Sequence, residues 1–172
     1  MKKSIIFFNC FMFKTAFVIF IVFTTINVFA ETIKGKIIRV IDGDTVVART
    51  VDNKKIKIRL SGIDAPEKKQ SHGIEAKNFL KNLISSKIVK ISISKKDKYK
   101  RYLGMIFLNK TNINLELVKS GNAWAYRRYL KKMNKKMEEA FIKAESLAQY
   151  EKNGLWKKPA PIPPWIWRKK NK

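Results

Sequence analysis

Two short segments of this chain carry the residue types that metal-assisted phosphodiester chemistry needs. Val40-Ile41-Asp42-Gly43-Asp44-Thr45 and Ile58-Arg59-Leu60-Ser61-Gly62-Ile63-Asp64-Ala65-Pro66-Glu67 hold four of its 13 acidic residues. Each acid lies near Gly or Pro at the mouth of an apolar run, where a carboxylate is held rather than left free on a surface. Asp44 and Asp64 are candidate side-chain ligands of a cation, with a backbone carbonyl near Ala65 as a third oxygen. An all-oxygen set suits Ca²⁺ or Mg²⁺ better than a softer metal. Zinc is disfavoured, because the one cysteine lies at position 10 and His72 is the only histidine. Glu67, in a loop after Pro66, can orient or deprotonate a water beside the metal. A phosphodiester transition state gathers charge on its equatorial oxygens, and a guanidinium can clamp two of them; Arg59 and Arg101 are the candidates.

The elements that must position these groups are legible from periodicity. Lys55-Ile56-Lys57-Ile58-Arg59-Leu60 alternates charged and apolar residues, the pattern of a half-buried strand. Asp44 to Arg49 reads as the preceding strand, with Asp52-Asn53 as the turn. A hairpin centred there sets Asp44 opposite residues 60 and 61, so Asp44, Arg59 and Asp64 converge through local geometry alone. Ile33 to Ile41, Val89-Ile91-Ile93 and Leu103 to Leu108 supply three more strands. Ala76, Phe79, Leu80, Leu83 and Ile84 keep helical spacing, as do Met137, Ala140, Phe141, Ala144, Leu147 and Ala148. Leu115 to Lys119 reads as a short helix ended by Gly121. Five strands with a helix inserted after the third predict an α+β fold: a five-stranded OB-type Greek-key β-barrel capped by about three helices. The tail from Pro159 to Arg168 is too proline-rich for a helix and is expected to wrap the surface.

Composition narrows the partner. Residues 1–30 read as a signal peptide, with Lys2 and Lys3 at the start, an apolar run from Phe17 to Phe23, and cleavage after Val28-Phe29-Ala30. Cys10 lacks the small preceding residue of a lipidation site. Without Lys2, Lys3 and Lys14, the 38 basic residues fall to 35 against 13 acids, a net +22. That excess destabilises a compact state by self-repulsion and points to a polyanion, nucleic acid or an anionic membrane surface. The remaining residues, 31–157 as one domain and 158–172 as a basic Pro/Trp-rich tail, are expected to form a monomer. Lys98-Tyr99-Lys100-Arg101-Tyr102 interleaves aromatic and basic residues, which favours a nucleic-acid contact, with Tyr99 stacking on a base or bonding a phosphate. Trp124, Tyr126, Arg127, Arg128 and Tyr129 form a second mixed patch, in which Trp124 reads as core and Tyr126 as substrate-facing. His72 reads as a loop or cap residue without a chemical role.

Taken together, Asp-Gly-Asp-Thr, Arg-Leu-x-Gly-Ile-Asp-x-Pro-Glu and Asp-x-Tyr-x-Arg, in this order and spacing, resemble the staphylococcal nuclease (thermonuclease) family from about Gly35 to Trp156. The resemblance implies an OB barrel with helices and cleavage of DNA and RNA with Ca²⁺, leaving 3′-phosphate ends. It implies Asp44 and Asp64 as calcium ligands, Ala65 as the carbonyl donor and Asp42 as an acid behind them. Arg59, Glu67 and Arg101 match the catalytic residues, while Lys98, Tyr99 and Tyr126 fall near substrate phosphates. Lys100 stands where family members usually carry Gly, which leaves the conformation of that loop open. Ala65 replaces the Thr of some members, harmlessly if only its carbonyl serves.

The expectation is therefore a secreted or periplasmic calcium-dependent endonuclease with little sequence preference and no stable membrane association once its leader is removed. The alternative is an OB-type single-stranded nucleic-acid-binding protein without catalysis. A membrane-binding role ranks last, because Glu138, Glu139, Glu145 and Glu151 temper the charge of the 134–152 helix. Mass spectrometry of the natively produced protein should find a chain beginning at Glu31; full-length protein in a membrane fraction would refute the leader.

Overall fold

A computed structural model describes residues 31–171, and the segment read as a leader lies outside them. The strands are β1 (Glu31–Val40), β2 (Thr45–Thr50), β3 (Lys55–Leu60), β4 (Ile63–Asp64), β5 (Ile88–Lys96), β6 (Tyr102–Leu108), β7 (Thr111–Asn112) and β8 (Trp124–Ala125). The helices are α1 (Gly73–Ile84), α2 (Ile113–Lys119), α3 (Arg127–Leu130), α4 (Lys135–Tyr150) and α5 (Pro164–Lys170). In the main sheet the order is β3-β2-β1-β5-β6-β7, and a parallel β3–β6 pairing closes five of these strands into a barrel. This is the expected α+β, OB-type architecture.

The closure matters for the site. The β2–β3 hairpin pairs Thr45 with Arg59, so Asp44 falls opposite Leu60, as the turn at residues 52–53 requires. The Leu60 amide donates to the Asp44 carbonyl at 2.8 Å. Parallel pairing sets Arg59 beside Leu103, which brings the β5–β6 loop and Arg101 alongside β3. The buried Asn114 ties this region together: its amide group donates to Ser61 O and Gly104 O, while its Oδ1 accepts from the Ile106 amide. The alternating residues of β2, β3 and β5 point into one core, where Val46, Ala48, Ile58, Leu60, Val89 and Ile91 are buried. Against it pack Leu80 and Ile84 of α1, Leu117 of α2 and Phe141 of α4.

Glycine is required where α1 starts. A Cβ at Gly73 would collide with the carbonyl oxygen of Glu67, so the helix can dock this closely under the Glu67 loop only without a side chain there. His72 precedes it with φ of 66°, bonded to Asn122 Oδ1 at 2.9 Å, consistent with a cap residue. Asn112 and Asn134 cap α2 and α4 through their side chains.

Two expectations are corrected. The tail does contain a helix, α5: Pro164 sits at its first position, where the missing N–H costs nothing, and Arg168, Lys169 and Lys170 fall in the last turn, where the dipole favours cations. On α4 the buried stripe runs through Phe141, Ala144, Glu145 and Ala148, while Leu147 is 49% exposed. Glu145 is therefore not part of a solvated face. It accepts from the Ala125 amide at 2.8 Å and from Arg127 at 2.6 Å, and burial raises its pKa above the usual carboxylate value. It thereby fixes the β4–β8 pairing behind the site.

Removing that acceptor leaves the buried Ala125 amide unsatisfied. Glu145→Ala should cost about 1–3 kcal/mol in urea unfolding. Glu145→Gln, which still offers an oxygen, should cost clearly less; equal losses would show that packing alone holds α4.

Candidate active site

Arg59 is the hub. Its Nη2 lies 2.9 Å from Asp44 Oδ2 and 2.7 Å from Asp64 Oδ1, so a single amino group joins the two carboxylates. Its Nη1 donates to the carbonyls of Leu60 and Ile63, at 3.0 and 3.1 Å, and thereby shapes the turn that carries Asp64. Three of its five N–H groups thus donate to the protein, and the Asp44 contact is an ion pair.

Both acids are buried, Asp64 completely. Asp44 Oδ2 also accepts from the Ala65 amide at 2.7 Å and its Oδ1 from Thr45 Oγ1 at 3.1 Å. Asp42 holds the turn itself, accepting the Asp44 amide at 3.1 Å, which is a supporting rather than a ligating position. Burial drives the Asp44 carboxyl up to about 7; Arg59 opposes this, while Asp42 and Asp64 add to it. Among the described residues no group of three or more His, Cys, Asp and Glu side chains gathers at metal-ligand spacing. The donor chemistry nevertheless suits a hard cation: two buried carboxylates and the Ala65 carbonyl offer only oxygen, although Arg59 already meets both acids.

Glu67 sits at the open edge of this pair, its side chain 34% exposed. Gln70 holds its loop, accepting the Glu67 amide through Oε1 at 3.0 Å and donating its own amide to the Glu67 carbonyl at 2.8 Å. Arg101 is engaged elsewhere. Its Nε and Nη2 both reach Asp97 Oδ2, at 2.8 and 2.7 Å, and its guanidinium lies 5.3 Å from the centre of the exposed Tyr99 ring. The Asp97 Oδ1 accepts the amides of Tyr99 and Arg101. Despite a burial cost, those bonds lower the Asp97 pKa. Lys100 takes φ of 60°, the left-handed conformation a glycine would adopt freely, so the loop keeps that shape at a cost of roughly 1–2 kcal/mol. Lys98 and Lys100 are exposed beside it.

The second aromatic patch is built differently from a free surface. Tyr126 stacks on Trp165 of the tail, ring centres 5.2 Å apart and nearly parallel at 9°. Trp124 meets Trp156 and Trp165 edge-on, at 4.3 and 5.6 Å. Trp124 is thus core to a small aromatic cluster, and Tyr126 carries the tail on its face.

That cluster delivers a residue missing from the sequence-based set. Arg168 places Nη1 3.2 Å from Asp64 Oδ1 and 2.7 Å from Glu67 Oε1, and Nη2 2.7 Å from Asp64 Oδ2. Burial works against its charge, but hydrogen bonds to Asp64 and Glu67 outweigh that and raise its pKa. The contact spans 104 residues of sequence, and no local pattern announces it. The available signal was an arginine one turn beyond Pro-Pro-Trp in a tail otherwise without a partner.

A barrel that gathers a buried acid before β2 and another in β4 on an arginine of β3, with a glutamate at the rim, defines a phosphodiesterase-type site. Residues 57–158 match the family model described as staphylococcal nuclease homologue, and the chain belongs to that family. An uncharacterised endonuclease of Haemophilus influenzae is 40% identical over 137 residues, covering 80% of this chain and 74% of that protein. An uncharacterised endonuclease of Escherichia coli O157:H7 is 36% identical over 143 residues, covering 82% and 88%. A micrococcal nuclease of Shigella flexneri is 35% identical over 148 residues, covering 81% and 82%.

The raised Asp44 pKa has a measurable sign. Between about pH 4 and 7 the folded protein holds a proton that the unfolded chain has released, so this group's contribution to stability falls as pH rises through that window. In chelator, the melting temperature of Asp44→Asn minus that of the wild type should grow across this range. A constant difference would mean that Asp44 is ionised throughout.

Proposed function

We propose that this protein, an endonuclease of the staphylococcal nuclease family acting on nucleic acid, is an exported, calcium-dependent enzyme that hydrolyses DNA and RNA with little sequence preference and leaves 3′-phosphate ends. The observation that carries this reading is the pairing of Asp44 and Asp64 on one arginine, with Glu67 beside them at the open rim. Asp44, Asp64 and the Ala65 carbonyl would hold the cation, which when bound supplies a concentrated positive charge for a phosphoryl oxygen. Glu67 has one oxygen on Arg168 and the other without a bond among the described residues, free to take a proton from an attacking water. Arg101 donates Nε to Asp97, with Nη2 in ion-pair contact, so its Nη1/Nη2 end remains open to hold phosphate oxygens in pairs. Arg59, with three of its N–H groups on the protein and its guanidinium between the two acids, acts chiefly by fixing them. Lys98, Tyr99 and Tyr126 line the approach of the nucleic-acid strand, as the sequence motifs suggest. The high positive charge raises the local concentration of nucleic acid without selecting its sequence.

Digestion of DNA and RNA across a metal panel tests this. Activity should vanish in chelator and return with Ca²⁺; undiminished cleavage in excess chelator would refute the metal site, and binding without cleavage under every cation would favour a non-catalytic nucleic-acid-binding protein. Arg101→Lys retains charge but loses the fork and should slow turnover by at least about a hundredfold. Glu67→Gln should slow it comparably while calcium binding persists.

A further inference from the structure

The donors of Arg168 fall into two sets. Its Nη1/Nη2 end faces Asp64, and the second Nη1 proton goes to Glu67. The Nε proton and the second Nη2 proton form the other edge of the guanidinium, and that edge makes no bond among the described residues. A planar edge with two parallel N–H groups matches two oxygens of a phosphate. The side chain as a whole is 40% exposed, so a ligand can reach it.

The guanidinium is also placed in advance. Its helix is anchored by buried Pro164 and by Trp165 against Tyr126 and Trp124. Farther back, Gln70 Nε2 donates to the Ile162 carbonyl, so the loop that carries Glu67 and the tail that carries Arg168 are fastened to one another. Aromatic pairs of this kind hold geometry independently of charge. An arginine fixed before the substrate arrives loses little freedom on binding it.

We propose that Arg168 is a further substrate-binding arginine of this site: its end grips Asp64 and Glu67, and its free Nε/Nη2 edge receives the phosphate being attacked. The C-terminal helix is then one wall of the active site rather than a surface wrap. A divalent cation competes for the Asp64 oxygens, while the Glu67 contact and the aromatic anchor keep the guanidinium at the rim. This rests on the nuclease reading above, but part of its test does not.

The test compares wild type, Arg168→Ala, Arg168→Lys and Lys55→Ala, the last removing one charge at the far end of β3. Binding of a labelled single-stranded oligonucleotide is measured in excess chelator over a salt series, with the probe checked for integrity; turnover is measured with Ca²⁺. Arg168→Ala should weaken chelator-state binding about tenfold and lower the log–log salt slope by about 0.7, one phosphate contact on a single strand. It should also slow turnover at least about thirtyfold. Arg168→Lys should rescue little of either, since an ammonium cannot serve two edges at once. Lys55→Ala should stay within about twofold of wild type in both. Oligonucleotide affinity in Arg168→Ala equal to that of Lys55→Ala, or turnover equal to or above wild type, would overturn the proposal and make the tail an occupant that substrate and metal must displace. A wild type that digests nothing under any cation would refute the nuclease reading, and the chelator-state binding would still decide on Arg168.

Discussion

Everything at the site depends on one arginine holding two buried carboxylates. Arg59 lies between the buried Asp44 and Asp64 and offsets part of the cost of burying them, which for an uncompensated charge is several kcal/mol. Burial still raises the Asp44 pKa. The same guanidinium, through the Leu60 and Ile63 carbonyls, sets the path of the chain from β3 to β4. Electrostatics and backbone geometry are therefore one constraint. The five-stranded barrel supplies its frame, since the hairpin register brings Asp44 to Leu60 and the closing β3–β6 pairing brings the Arg101 loop alongside.

Around this hub the other cations have distinct postures. Arg101 is folded back onto Asp97 in a loop that Asp97 itself organises, with Lys100 held in a left-handed conformation to make the turn. Arg168 comes from the opposite end of the chain and meets the acids directly. Its position depends on apolar chemistry: Trp165 is clasped by Tyr126 and Trp124, so the aromatic patch after Gly121 serves the tail as much as the substrate. Glu145, buried on α4, braces that patch from behind through Ala125 and Arg127.

Much of this was determined by the sequence alone. Alternation in residues 55–60 and the Asp52-Asn53 turn specify a hairpin, because strand period and turn chemistry are local properties; from the hairpin follow the register and the meeting of Asp44, Arg59 and Asp64. The barrel class, the helix over 73–84 and the family motifs were legible for the same reason. What only the tertiary structure decided lies in contacts between distant residues. Glu145 looked like a solvated acid until β8 offered it an unpaired amide. The tail looked incompatible with a helix until Pro164 was seen to occupy the one helical position that tolerates it. Arg168 reaches Asp64 across 104 residues, through an aromatic cluster and a closed barrel. Such a contact follows from which surfaces remain to be covered once the core has formed, and that is a property of the whole fold, which no window of sequence contains.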